Sequence, residues 1–432
     1  MTGRENAEGG TPGGGDTFAG VPHVLPRSIA DLGPLIAWLR GGGAAERRLD
    51  FPAGTAMPDG RLDLCKQALG PEGAALIAEA LGETAGPARV RHLLLGTDGL
   101  GDEGAADVAE KTVGAGVETL YLGCNGITAG GACRIADSLR ASEHVVSGVW
   151  LKRNPLGTQG GRAAADLVAA ASGLRTLDLV QTGLDPAGLA VLAEALLAAA
   201  ASGRRIERLF AGGNPLGRAG AVPLAALLST GAVAELYVSA ARLGDDGALL
   251  LADALERAPY GRTVRLSVAS NGIGPRAAAR LVAAAAGAGV ELLDLGRVRA
   301  AGTLGAADNH VDLAAATAIG ETLAAREHRL THLVLTHTGL RSREAHRLLD
   351  AAPRAVTATR FVFGKGVATS VRRRLDAFSA HLPRPTVSAD VDAVRSVHRT
   401  APPAPPAVRD LADRADRPDL ADRADPTAPG GD

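Results

Sequence analysis

The stretch Leu120-Tyr-Leu-Gly-Cys-Asn125-Gly-Ile127 decides the architecture, because the chain returns to this pattern again and again. Close copies are Val149-Trp-Leu-Lys-Arg-Asn154-Pro-Leu156, Leu209-Phe-Ala-Gly-Gly-Asn214-Pro-Leu216 and Leu266-Ser-Val-Ala-Ser-Asn271-Gly-Ile273. Variant copies start at Leu62, Leu93, Leu177, Leu236, Leu293 and Leu333, and a degenerate one at Phe361. Most starts lie 27 to 32 residues apart. A fixed period of this length means stacked copies of one small unit.

Each part of the unit has a physical role. The alternation L-x-L turns its leucines inward and the intervening residue outward, as a strand does. The polar residue that follows sits where the chain leaves the strand. Its amide can satisfy backbone groups of adjacent turns that burial would otherwise leave unpaired. Asn125, Asn154, Asn214, Asn271 and Asn309 form this column, with Gln67, Asp98, Thr182 and Thr338 as substitutes and interruptions at Ala241 and near Val298. Next come a Leu/Ile-Gly pair and acidic residues, as in Leu100-Gly-Asp102-Glu103 and Leu243-Gly-Asp245-Asp246, expected to turn the chain and cap a helix. The helices read Ala-x-x-Leu-Ala at a 3.6-residue period, for example from Ala187 to Leu197.

A strand plus a helix, repeated in this way, stacks into a curved array. Helices are about 10 Å wide and strands about 4.8 Å apart, so the helices take the outer wall. The expected fold is an α/β solenoid, a horseshoe with parallel strands on the concave face and helices on the convex face. The pattern resembles the ribonuclease-inhibitor-like leucine-rich repeat family over residues 61 to 383, about ten to eleven units. The resemblance implies a protein partner held in the concave face. It also implies alternatives: a regulator of a small GTPase, like the Ran GTPase-activating proteins, or an inhibitor of a nuclease or other enzyme.

Composition agrees with thin layers of small side chains. The 432 residues are 46% hydrophobic but only 3% aromatic, and net charge is -1. No basic excess marks a nucleic-acid binder. Three cysteines, Cys65, Cys124 and Cys133, form no CxxC pair and point to a reducing compartment, read as the cytoplasm. The Ala/Gly/Arg-rich composition suggests a bacterial source. Apolar runs such as Leu189 to Ala201 are too short for a membrane span.

The ends and one interruption depart from the repeat. Residues 1–20 read as disordered, and 21–60 as an N-terminal cap with a helix over Ser28–Leu39, a strand at Leu49–Phe51 and Trp38 in its core. An insertion at 296–308, carrying Arg297 and Arg299, is expected to project from the rim as a second partner contact. From 384 to 432 the chain turns Pro-, Ala-, Asp- and Arg-rich, with near-identical copies at Asp410 and Asp419, and reads as a solvated tail.

The sharpest functional signal is where the aromatics fall. Of eleven Trp, Tyr and Phe residues, Tyr121, Trp150, Phe210 and Tyr237 share the column between the strand leucines, with Asp178 among them and Lys152 and Arg153 alongside. Cross-strand stacking accounts for some of this enrichment. Exposed rings beside charges have the composition of a binding hot spot, and these residues are the expected partner contacts. No catalytic constellation is visible. Gly364-Lys365-Gly366 lacks the spacing of a phosphate loop, and GxSxG and HExxH are absent. His310, His328, His332, His337 and His346 read as surface histidines, and neither a metal nor a cofactor is expected.

Overall fold

The structure is a computed structural model that describes residues 23–83, 89–140 and 145–395. Thirteen strands form one open sheet in sequence order. They are β1 Leu49–Phe51, β2 Gly54–Ala56, β3 Arg61–Asp63, β4 His92–Leu94, β5 Thr119–Tyr121, β6 Gly148–Trp150 and β7 Thr176–Asp178. There follow β8 Ile206–Phe210, β9 Val233–Tyr237, β10 Arg265–Ser267, β11 Leu292–Asp294, β12 His332–Leu335 and β13 Arg360–Phe363. The first two junctions are antiparallel, and every later one, from β3 to β13, is parallel.

The helices are α1 Gly33–Arg40, α2 Gly70–Gly82, α3 Gly101–Thr112, α4 Ala129–Arg140, α5 Gly160–Ala170, α6 Pro186–Ala201 and α7 Gly217–Thr230. The rest are α8 Gly244–Arg257, α9 Pro275–Ala288, α10 Leu313–Ala325, α11 Ser342–Ala351, α12 Thr369–Phe378 and α13 Ala389–Arg395. Helices α2 to α12 alternate with the strands and cover one face, so the chain is a leucine-rich-repeat horseshoe. The central strand residues Leu62, Leu93, Leu120, Val149, Leu177, Leu209, Leu236, Leu266, Leu293 and Leu333 stand in register and are fully buried beneath those helices. Alanine makes the thin wall possible: Ala163, Ala164, Ala248, Ala252, Ala278 and Ala285 are buried where a larger side chain would push helix from sheet.

The five asparagines are 0–2% exposed and work as a ladder. Asn154 Oδ1 accepts from the Asn125 and Ile127 amides at 2.8 and 3.1 Å, while its Nδ2 donates to the Leu122 and Leu151 carbonyls at 2.9 Å each. Asn309 does the same despite the insertion before it, accepting from Asn271 N and Ile273 N. Each rung therefore ties two repeats together and removes buried unpaired amides. The residue just before the rung pays in backbone strain. Lys66, Thr97, Cys124, Arg153, Gln181, Ala240, Ser270 and His337 all lie in the left-handed region, with φ of 53° to 65°. The acidic residues after the Leu-Gly pair do not cap their own helices. Asp102 Oδ1 accepts from Thr128 N and Asp245 Oδ1 from Gly274 N, each one repeat further on.

The N-terminal segment closes the first edge. The β1–β2 hairpin pairs with β3, α1 packs on α2 with Leu32, Leu35 and Leu39 buried, and half-buried Trp38 packs on Phe51 at 5.3 Å.

Two expectations need correction. The tail does not begin at 384: residues 384–395 are placed on the array and include α13, while residues 396–432 and 1–22 lie outside the described residues. The insertion does not project from the rim. Ala301 is fully buried, the Leu304 carbonyl accepts from Arg242 Nη2 at 3.4 Å, and Leu304 lies over Gly213. The reason is composition, since Val298, Ala300, Ala301 and Leu304 gain more by folding back over apolar turns than by facing water.

Candidate functional site

Two residues of every parallel strand flank its buried leucine and face the concave side. The following residue gives the column Asp63, Leu94, Tyr121, Trp150, Asp178, Phe210, Tyr237, Ser267, Asp294, Val334 and Val362, each in register with the next. The aromatic residues singled out in the sequence do share this column. Trp150 meets Phe210 at 5.2 Å, and Phe210 stacks on Tyr237 at 4.4 Å with 6° between planes. The two rings close over Asp178, which is buried and accepts from Val180 N at 2.8 Å. Burial pushes the Asp178 carboxyl up to about 6, with Lys152 opposing. Lys152 Nζ lies 5.0 Å from the Tyr121 ring centre. Arg153 belongs instead to the strained turn and pairs with Gln181 at 2.9 Å.

The expectation that these rings are exposed is wrong. Trp150 is 4% exposed, and Tyr121, Phe210 and Tyr237 are half-buried. The cover comes from the chain's own C-terminal segment. After α12 it turns back and crosses the concave face towards the N-terminal repeats. Val391 and Val394 of α13 pack with Cys65, Leu94 and Trp150 in a small apolar cluster separate from the main core, flanked by Tyr121 and Phe210.

The residue preceding each buried leucine forms the second column, which the sequence reading passed over. It contains Arg61, His92, Arg208, Glu235, Arg265, His332 and Arg360. Four arginines of this column grip the crossing segment in turn. Arg360 Nη2 donates to the Ser379 and Leu382 carbonyls at 2.7 and 3.0 Å. Arg265 donates to the Thr386 carbonyl. Arg208 lies 3.8 Å from the Asp390 carboxylate, and Arg61 Nη1 donates to the Ala393 carbonyl at 3.2 Å. We call residues 379–395 the strap. The fit leaves the Trp150 indole Nε1 buried with no hydrogen-bond partner among the described residues, and the strap's own Ser388 Oγ likewise. A buried unpaired donor costs about 1–3 kcal/mol.

The expected second contact is also rearranged. Arg297 pairs with Asp308 at 3.3 Å, Arg299 is exposed, and the apolar side of the loop turns towards the sheet. Strap, loop and strands β8 to β12 together line a half-open cavity of about 700 Å³. Two of the histidines read as surface residues are buried: His328 is 3% and His332 8% exposed, and burial lowers both below the usual histidine range. All three cysteines are free thiols, and burial holds the Cys65 thiol well above its ordinary value. Among the described residues no group of three or more His, Cys, Asp or Glu is placed to hold a metal, and no helix is long and apolar enough to cross a membrane.

No family model and no curated protein matches this chain. Among solved structures it is similar to one titled as the crystal structure of the Rad7 and Elc1 complex in yeast. The match is 13% identical, covers 80% of this chain and 86% of that one, and has a TM-score of 0.41. A likeness at that level carries no argument about function.

Proposed function

We propose that this protein is a binding scaffold whose concave face holds a short linear segment of a partner protein, and that the strap is a tethered stand-in for that segment. The observation that supports the reading is the row of arginines taking successive groups of one crossing chain. Three of the four bind backbone carbonyls, which every peptide has. Specificity then falls to the positions over the aromatic column. In the strap these read Asp390-Val-Asp-Ala-Val394, with the acid at Arg208 and the two valines, three apart, over Trp150 and Leu94. The matching partner motif is an acid followed by aliphatic residues at that spacing, in a segment short enough to lie along the horseshoe.

The strap sets a threshold. Its helix α13 is joined to α12 by only ten residues, 379–388, so the effective concentration of that helix at the face is on the order of millimolar. A partner must outcompete it. The unpaired Trp150 Nε1 is where it can do so, by placing an oxygen acceptor within hydrogen-bond reach, a bond the strap does not make. The repeat length and the asparagine ladder support placing the array in the ribonuclease-inhibitor type, and three free thiols support a reducing compartment. No observation favours the GTPase-regulator or enzyme-inhibitor reading over a general peptide-binding one.

The test uses the full chain as bait in three forms: unchanged, with Val391→Asp plus Val394→Asp to release the strap, and with Trp150→Ser plus Arg208→Glu added. A partner enriched on the released form, weak on the unchanged chain and absent from the third supports the reading. A catch identical for all three sinks it.

A further inference from the structure

We infer that the cavity between the inserted loop, the strap and strands β8 to β12 is a binding site for a small amphipathic amine, with Asp294 as its anchor. The cavity holds about 700 Å³, within the range of sites that enclose drug-sized ligands. Its walls are mostly apolar: Val298 and Leu304 from the loop, Val334 from β12, Val387 from the strap, and the stacked faces of Phe210 and Tyr237.

Of the charged lining residues, Arg384 is exposed on the strap, and the half-buried one without a counter-ion is Asp294. Asp294 lies in the aromatic column's continuation and is half-buried, open towards the cavity. Its Oδ1 accepts from Gly296 N at 2.8 Å and its Oδ2 from Ser267 Oγ at 2.9 Å. Among the described residues no cation lies within ion-pair distance of it. Arg265, which lines the same cavity, faces Glu235 at 3.7 Å and the Thr386 carbonyl. A carboxylate offers about four acceptor sites, and Asp294 has filled two.

The hydroxyls narrow the choice further. Ser267 gives its proton to Asp294, so the 2.9 Å contact between Ser239 and Ser267 is donated by Ser239. The row therefore presents acceptor lone pairs to the cavity at both ends. A ligand seated here must bring donors and, to balance the carboxylate, a positive charge. An ammonium does both. The Tyr237 ring, at the cavity end of the stack, attracts the same charge, and the aliphatic walls take the apolar body. An organic acid would meet Asp294 as a like charge, and a plain hydrocarbon would leave it desolvated and unpaired.

Dansylcadaverine serves as the probe, since it carries a primary amine on an apolar body and its fluorescence rises in an apolar site. Its N-acetyl derivative has the same body without the charge. Titrated into the full-length protein at neutral pH, the amine should bind saturably, and the acetylated form about tenfold more weakly or worse. Asp294→Asn should bring the amine down to the level of the acetylated form, and Val298→Trp should fill the cavity and weaken both. Equal affinity for the two probes overturns the assignment, as does the absence of saturable amine binding up to about 1 mM. The comparison of the two probes on the unchanged protein needs no variant to fold.

Discussion

Asp98 occupies a rung of the ladder that asparagine fills in five other repeats, and the substitution Asp98→Asn should stabilise the protein by an amount that grows with pH. Asp98 is fully buried. Its Oδ1 does the work of an asparagine, accepting from Gln67 N at 2.7 Å. Its Oδ2 has no hydrogen-bond partner among the described residues, where Asn125 uses Nδ2 to reach the Leu95 and Leu122 carbonyls. Burial lifts the carboxyl from 3.8 to about 8, against the pull of three backbone amides. The folded chain therefore keeps this proton up to about pH 8, while the unfolded chain releases it near pH 4. Stability must fall as pH rises through that window, by up to about 1.4 kcal/mol per unit.

An asparagine does not titrate, and its amide meets the carbonyls directly. Urea unfolding of the two proteins should give similar stability near pH 4. The variant's advantage should then widen by about 2–3 kcal/mol between pH 5 and pH 7. Other ionisable groups are common to both chains and cancel in the difference. A difference that stays within about 0.5 kcal/mol across the window would refute the assignment of a buried, proton-holding acid at this rung.

Three further outcomes follow from the geometry. Asn154→Ala removes four hydrogen bonds, three of them to the neighbouring repeat; it should cost about 2–4 kcal/mol, and a calorimetric melt unchanged from the parent would contradict the ladder. Ala240→Gly, at φ 54°, should gain up to about 1 kcal/mol, read as a higher urea midpoint. Releasing the strap with Val391→Asp plus Val394→Asp should shift tryptophan emission to the red and raise its quenching by acrylamide, because Trp150 loses its cover while Trp38 does not.

The fold was legible because its information is periodic. Every L-x-L with its rung repeats the same instruction, and the copies agree on strand, turn and helix. Asn309 could be assigned to the ladder across an insertion, since a fixed residue type at a fixed place survives a change in spacing. The strap was not legible for the opposite reason. Its helix is seven residues long, carries only Val391 and Val394 as large apolar groups, and runs into a Pro- and Asp-rich stretch whose composition reads as solvated. Its stability is tertiary, supplied by rings and arginines some 20 to 330 residues away in sequence. The arginine column is readable in the sequence. It is the residue immediately before each L-x-L, and Arg61, Arg208, Arg265 and Arg360 stand there in plain view. The aromatic column was located correctly but its exposure was not, because exposure depends on what crosses the face. The inserted loop misled through its length: its inward turn follows from its alanines, valine and leucine rather than from its two arginines.

The most direct test of the central claim supplies the strap in trans. A labelled peptide spanning residues 379–395 is titrated, by fluorescence anisotropy, into the unchanged protein and into the Val391→Asp plus Val394→Asp form. The account predicts saturable binding to the released form and binding at least about tenfold weaker to the unchanged protein, whose own strap competes at high effective concentration. No binding to the released form, or equal binding to both, would show that the concave face is not a site for this segment.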